Sequence, residues 1–124
     1  MAIRPLSLLA LSLILAAPTL AHAQDATAGE KVFKSQCSIC HAVAAGKNMV
    51  GPSMSGIVGR KAGTVAGFRY TDANKNSGLT WDSATLDRYL TNPRAAVPGT
   101  TMAYAGVKAD QQRADLIAYL ASLH

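Results

Sequence analysis

Residues 37–41 read Cys-Ser-Ile-Cys-His, which places two thiols and an imidazole within one short segment. Two thiols about one helical turn apart can add to the two vinyl groups of one porphyrin, and the following histidine then binds the iron axially. The same cysteines could instead form a redox dithiol, a structural disulfide or half of a zinc site. The chain has two cysteines in total, so no second pair completes a zinc site. A thioredoxin-type motif expects a preceding strand, which the pattern lacks. We therefore predict that Cys37, Cys40 and His41 hold a haem c.

A second axial ligand is needed if such a haem is to transfer electrons without an open coordination position. Besides the lysines, the candidates are Met49, Met54, Met102 and the terminal His124. A methionine is more often a core filler than a ligand. Met102, however, lies in a loop with Pro and Gly between two predicted helices, and His/Met is an established ligand pair. We predict His41 and Met102 as the iron ligands.

The hydrophobic periodicity indicates helices and no strands, so we predict an all-α single-domain fold with three main helices, short helices and loops wrapped around one covalent haem. The main helices are expected at residues 25–36, 82–92 and 110–123. A short helix within 67–78 has Thr71 as a possible cap. Segments 43–63 and 94–106 are expected to be loops. Gly29, inside the first helix, indicates either a closely crossing helix or simple tolerance of glycine.

Residues 1–23 have the pattern of a secretory signal peptide. Arg4 lies in a short positive start, residues 6–17 are almost wholly apolar, and Ala21-His22-Ala23 resembles a cleavage site. The apolar stretch is too short to span a bilayer comfortably, although an uncleaved anchor is the alternative. We expect a signal peptide at 1–23, a single domain at 24–124 and a periplasmic location.

The net charge of the 124-residue chain is +5, and the basic residues are scattered singly. Nucleic-acid or lipid binding is therefore disfavoured. A positive face that steers the protein toward acidic protein partners fits this charge better.

Several further segments occur in an order that resembles one known family. They are residues 56–61 (Gly-Ile-Val-Gly-Arg-Lys), 67–76 (Gly-Phe-Arg-Tyr-Thr-Asp-Ala-Asn-Lys-Asn), the loop from Asn92 to Val107, and residues 115–120 (Asp-Leu-Ile-Ala-Tyr-Leu). Together with the two-cysteine segment, they resemble class I cytochrome c, most closely mitochondrial cytochrome c and the bacterial cytochrome c2 group.

The resemblance implies roles for individual residues. His41 would be the proximal ligand with the Pro52 carbonyl as its partner, and Met102 would be the distal ligand. Tyr89 would donate a hydrogen bond on the methionine sulfur side, and Asn74 would lie close to a buried water. The residues implied to satisfy the haem propionates, or to lie near them, are Arg60, Tyr70, Trp81, Thr71 and Thr100. The helix crossing is implied to bring together Gly29, Phe33, Leu116 and Tyr119.

The function implied by the resemblance is that of a periplasmic electron carrier and not an enzyme. Its donor would be a quinol-oxidising cytochrome bc1-type complex, and its acceptor a terminal oxidase or a photosynthetic reaction centre. A monomer without stable membrane insertion is expected. The sequence departs from mitochondrial members by having Ala95 and Thr101 in the methionine loop and Gln36 before the first cysteine, so the docking charge is thinner.

Two other classes stay open from the sequence. One is a small haem peroxidase or gas-binding c-type haem protein with an open sixth position. The other is a haem-free dithiol oxidoreductase.

Overall fold

The computed structural model describes residues 23–124, so the predicted signal peptide lies outside the described residues except for Ala23. The helices of this part are α1 (Ala26–Gln36), α2 (Asp72–Lys75), α3 (Ser83–Thr91), α4 (Pro93–Ala96) and α5 (Asp110–Ala121). Within the described part of the chain, the only β-type pairing is one isolated antiparallel bridge between Lys61 and Thr80. No helix in this range has the length and apolar character needed to cross a bilayer. The prediction of an all-α fold with three main helices is confirmed.

The helices begin where side chains can accept hydrogen bonds from the free N–H groups of the first turn. The Asp25 carboxylate accepts from the N–H groups of Thr27 and Ala28 at 2.9 and 3.1 Å, and thereby caps α1. The hydroxyl of Thr71 caps α2, as predicted, and the Asp82 carboxylate caps α3. Side chains directly before these three helices therefore satisfy first-turn N–H groups that have no intrahelical partner.

Helix α4 corrects one sequence prediction, because residues 94–106 were expected to be loop throughout. Helix α3 ends at Thr91 with Asn92 as its C-cap, directly before Pro93, but the same proline occupies the first turn of α4. Proline is favoured there, since its fixed φ suits a helix and its missing N–H would have had no intrahelical partner. The Asn92 side chain accepts from the N–H of Ala95 at 3.2 Å and caps this short helix.

The crossing of α1 and α5 closes one end of the fold. A Cβ at Gly29 would lie 1.9 Å from the carbonyl oxygen of Asp115, so the backbones approach too closely for any side chain at this position. The rings of Phe33 and Tyr119 pack beside this contact with centroids 5.6 Å apart. The Asp115 carboxylate, which is buried, accepts from the backbone N–H of Asp25 at 2.9 Å. The close-crossing explanation for Gly29 is therefore correct.

A buried arginine on α5 connects this helix to α3 and to the loop that precedes α5. Arg113 donates to Asp87 at 2.6 Å, to Asp110 at 2.8 Å and to the carbonyl of Val107 at 3.0 Å. The two carboxylates raise the pKa of Arg113, chiefly through the hydrogen bond to Asp87. The three partners satisfy both the charge and the hydrogen-bonding groups of this arginine, and they thereby offset the desolvation penalty of its burial.

Candidate haem site

All of the predicted site residues line one cavity of about 420 Å³. Its apolar wall includes side chains from α1, α3, α5 and the loops between them: Phe33, Ile57, Leu86, Leu90, Leu116 and Leu120. The volume falls in the range of about 300 to 1,000 Å³ that is usual for cofactor pockets, and the wall is of the apolar type that such pockets have. A second cavity of about 370 Å³, near Thr85 and Arg88, contains none of the predicted residues.

The two cysteines lie on a turn that continues directly from the end of α1. The N–H of Cys37 donates to the carbonyl of Phe33 at 2.8 Å, and the N–H groups of Cys40 and His41 both donate to the carbonyl of Cys37. Both thiols are free and partly buried. Burial, together with the neighbouring Cys40, raises the pKa of Cys37 to about 11, so this thiol is protonated at neutral pH. The turn presents both thiols to the cavity as haem attachment requires.

The imidazole of His41 is held by the next segment of the chain. Its Nδ1 lies 2.8 Å from the carbonyl oxygen of Pro52. Because a carbonyl can only accept, Nδ1 carries the proton and Nε2 keeps its lone pair. Burial lowers the pKa of His41, which favours this neutral form. The contact that the sequence suggested for Pro52 is present.

Gly51 was predicted only as part of the loop at residues 43–63, but it determines where the His41 ring can lie. A Cβ at position 51 would be 2.1 Å from Cε1 of the His41 ring. The N–H of Gly51 donates to the carbonyl of Cys40 at 2.8 Å, so its backbone is fixed against the cysteine turn. The only sequence signal was a glycine directly before Pro52, which does not reveal what lies against it.

Met102 reaches the cavity from the loop between α4 and α5. Its sulfur accepts a hydrogen bond from the hydroxyl of Tyr89 at 3.1 Å, and its N–H donates to the hydroxyl oxygen of Thr100 at 3.2 Å. Burial raises the pKa of Tyr89, which keeps this hydroxyl protonated as a donor. Tyr89 therefore lies on the sulfur side of the methionine, as the resemblance implied.

Arg60 provides the partly buried positive charge of the cavity. Its guanidinium donates to the carbonyls of Ser55 at 3.1 Å and Ser53 at 3.0 Å. Burial lowers the pKa of Arg60, but a guanidinium stays charged in proteins. Ser53 itself is buried and donates to the carbonyl of Ala44 at 2.7 Å. No sequence pattern pointed to Ser53, which shapes the loop that supports Arg60.

The remaining polar residues of the site lie together on the segment that leads into α2 and on α2 itself. The hydroxyl of Tyr70 accepts from the N–H of Val65 at 3.1 Å, and the hydroxyl of Thr71 accepts from the N–H of Asn74 at 3.2 Å. Both hydroxyls keep their own hydrogen for donation. Within residues 23–124, the side-chain oxygen of Asn74 is buried without a hydrogen-bond partner. A buried acceptor of this kind requires a partner from a bound group or a water.

The aromatic side of the cavity is formed by Trp81 and Tyr89, whose rings pack with centroids 4.7 Å apart. Both residues are buried, and both line the cavity. The cavity combines these aromatic rings with paired thiols, a neutral imidazole, a thioether sulfur, a guanidinium and the unpartnered side-chain oxygen of Asn74. This set of side chains fits a covalently bound haem.

Comparison with known proteins gives matches over nearly the whole described chain. A family model described as Cytochrome c matches residues 26–124. Cytochrome c2 of Rhodomicrobium vannielii is 58% identical over 103 residues, with 82% of each chain covered. Cytochrome c2 of Rhodoplanes tepidamans is 56% identical and covers 78% of this chain and 91% of its own. Among solved structures, cytochrome cH from Methylobacterium extorquens is similar with a TM-score of 0.72 and 47% identity, covering 77% of this chain and 96% of its own.

Proposed function

The chain belongs to the cytochrome c family of haem c electron-transfer proteins, and we propose that it carries single electrons on an iron ligated by His41 and Met102. Cys37 and Cys40 would hold the haem through thioether bonds. When bound, the haem supplies an iron that alternates between the ferrous and ferric states. The activity is electron transfer and not enzymatic turnover.

The observation that carries the proposal is that both candidate ligands line one cavity and that each is oriented by a hydrogen bond. His41 is held by the Pro52 carbonyl at 2.8 Å, which leaves Nε2 free to bind a metal. Met102 is held by the Tyr89 hydroxyl at 3.1 Å, which leaves sulfur lone-pair density free. Two preset ligands leave no coordination position for a substrate and require little rearrangement when an electron is gained or lost.

The polar residues would balance the charge of the cofactor's propionates. Arg60 has donors beyond the two that bind backbone carbonyls. Tyr70, Thr71 and Thr100 have hydroxyl hydrogens to donate, and Trp81 has an indole N–H. Because charge-assisted hydrogen bonds are stronger than neutral ones, Arg60 would contribute most.

The biological setting follows from the resemblance and from the relatives called cytochrome c2. The signal peptide at 1–23 would deliver a domain of residues 24–124 to the periplasm as a soluble monomer. The donor would be a cytochrome bc1-type complex, and the acceptor a terminal oxidase or a photosynthetic reaction centre. The exposed apolar residues Ile39 and Val50 line the same cavity, so docking near its mouth would use apolar contacts as well as charge.

The test is the visible spectrum of the purified protein, first oxidised and then reduced, together with a redox titration. The expected result is a sharp c-type reduced spectrum and the weak far-red band of methionine-ligated ferric haem.

The variant Met102→Ala should abolish that band and open the iron to carbon monoxide in the ferrous state. It should also lower the reduction potential by a substantial fraction of the roughly 0.8 V over which axial ligands tune haem. Met54→Ala, which removes another methionine of the same cavity, is the matched control and should keep the band. An unchanged titration in Met102→Ala would rule out this methionine as ligand, and rapid carbon monoxide binding to the native protein would favour the open-site class.

A further inference from the structure

The loop that contains Met102 is attached mainly to the α3 and α5 side of the molecule. The N–H of Val107 donates to the carbonyl of Leu90 at 2.7 Å, and Arg113 donates to the carbonyl of Val107 at 3.0 Å. The sulfur of Met102 is held by Tyr89, which is also on α3. These contacts fix the loop on one side of the cavity and do not connect it to the cysteine turn.

One contact does connect the loop to the other side. The hydroxyl of Tyr104 donates to the side-chain oxygen of Gln36, although the two residues are 68 positions apart in the chain. Gln36 is the last residue of α1 and directly precedes Cys37. Both Gln36 and Tyr104 line the cavity, and the Tyr104 ring also packs against the hydrophobic core. The contact therefore spans the cavity between the cysteine turn and the methionine loop.

We propose that Tyr104 is a positioning residue that, through Gln36, holds the Met102 segment closed over the cavity. The inference rests on the proposed His41/Met102 ligation. A small ligand that replaces Met102 needs the segment around Met102 to swing outward. Such a movement breaks the Tyr104–Gln36 hydrogen bond, because Gln36 is fixed by α1 and does not follow the loop.

The size of the effect is limited by the strength of one neutral hydrogen bond. Its net contribution corresponds to a change of about two- to tenfold in an equilibrium or rate. Removing the strap defined by Gln36 and Tyr104 should therefore speed opening of the loop by that factor. The effect is limited to this factor because the hydrogen bond from Tyr89 to Met102 still restrains the closed loop in the variants.

The experiment measures imidazole binding to the ferric protein by stopped flow, with loss of the far-red band as the signal. The variants are Tyr104→Phe, Gln36→Leu and the double variant. Each single variant should bind imidazole about two- to tenfold faster than the wild type, and the double variant should be no faster than the faster single variant. Gln36→Glu, which keeps an acceptor oxygen, should restore a rate near that of the wild type. Tyr119→Phe removes a hydroxyl from a ring that packs on Phe33, and serves as the matched control.

Unchanged rates in Tyr104→Phe and Gln36→Leu, or effects that add fully in the double variant, would overturn the strap. Acceleration in Tyr119→Phe equal to that in Tyr104→Phe would also overturn it, since the effect would then be one of general stability. If the wild-type ferric protein lacks the far-red band, the proposed His41/Met102 ligation fails instead, and this result is separate from any variant rate.

Discussion

Replacing Gly51 with alanine tests whether this glycine sets the position of the proximal histidine. The added Cβ would lie 2.1 Å from Cε1, 2.5 Å from Nδ1 and 2.7 Å from Nε2 of His41, whereas ordinary van der Waals contact begins at 3.4 Å. Gly51 is not among the glycines with positive φ, so alanine introduces no backbone strain of that kind. Either the imidazole or the loop backbone must therefore shift, and we expect the hydrogen bond of the ring to the Pro52 carbonyl to be lost.

The cost combines overpacking with the loss of one hydrogen bond. Overpacking in a well-packed site costs about 1 to 3 kcal/mol, and the hydrogen bond contributes about 1 kcal/mol. A loss of about 2 to 4 kcal/mol corresponds to a fall in Tm of about 10 to 25 °C for a domain of this size. Because the hydrogen bond to the Pro52 carbonyl orients the ligating ring, the ferric spectrum and the reduction potential should change as well.

The assay is a thermal melt of the holoprotein together with its ferric spectrum and its reduction potential. Gly56→Ala is the matched control, because Gly56 has φ of +62° and nothing lies within 4 Å of an added Cβ. This control should lower the Tm through backbone strain but leave the spectrum and the potential unchanged. A Gly51→Ala protein with the Tm, spectrum and potential of the wild type would refute the steric argument.

Two further changes test the helix crossing and a helix cap. Gly29→Ala should lower the free energy of unfolding by about 2 kcal/mol or more in urea denaturation, because its Cβ would lie 1.9 Å from the carbonyl oxygen of Asp115. This overpacking outweighs a gain in helix propensity of about 1 kcal/mol. Ser35→Ala on the same helix is the control, and equal or greater stability of Gly29→Ala would reject the packing argument. The hydrogen bond from the Thr85 N–H lowers the pKa of Asp82 below its ordinary value of 3.8, so the charged form contributes stability above that value and loses it as the pH falls through the folded-state pKa. The Tm difference between the wild type and Asp82→Asn should therefore be constant near neutral pH and shrink under acid, and a difference that grows on acidification would contradict this.

The elements that the sequence predicted best are those governed by neighbouring residues. Asp82 and Thr71 cap their helices through side chains that reach backbone N–H groups only a few residues away. Gly29 was noticed because glycine in a helix is costly, although the partner across the crossing came from the resemblance. Helix α4 was missed because Pro93 was taken only as the end of one helix, while the same residue also favours the beginning of another.

The chemical part of the candidate site was also readable from the chain, since Cys37, Cys40 and His41 are neighbours in sequence. Their spacing along one turn is fixed by covalent geometry and by the N–H groups of residues 40 and 41, which bond to the Cys37 carbonyl. Met102 was selected by its loop context and then by resemblance, and the structure places it beside Tyr89.

The type of cofactor chemistry, the helical class and the family could be predicted from the amino-acid sequence, because they depend on residue types at short and ordered spacings. Apart from the Pro52 and Tyr89 partners that the resemblance implied, only the tertiary structure shows which groups contact the candidate ligands or restrain their segments. The contact of Gly51 with the His41 ring and that of Gln36 with Tyr104 are examples. These contacts form where loops and helix ends meet around one cavity, although no local sequence pattern relates the segments to each other. Such meetings depend on how the whole chain packs, and no local propensity encodes them.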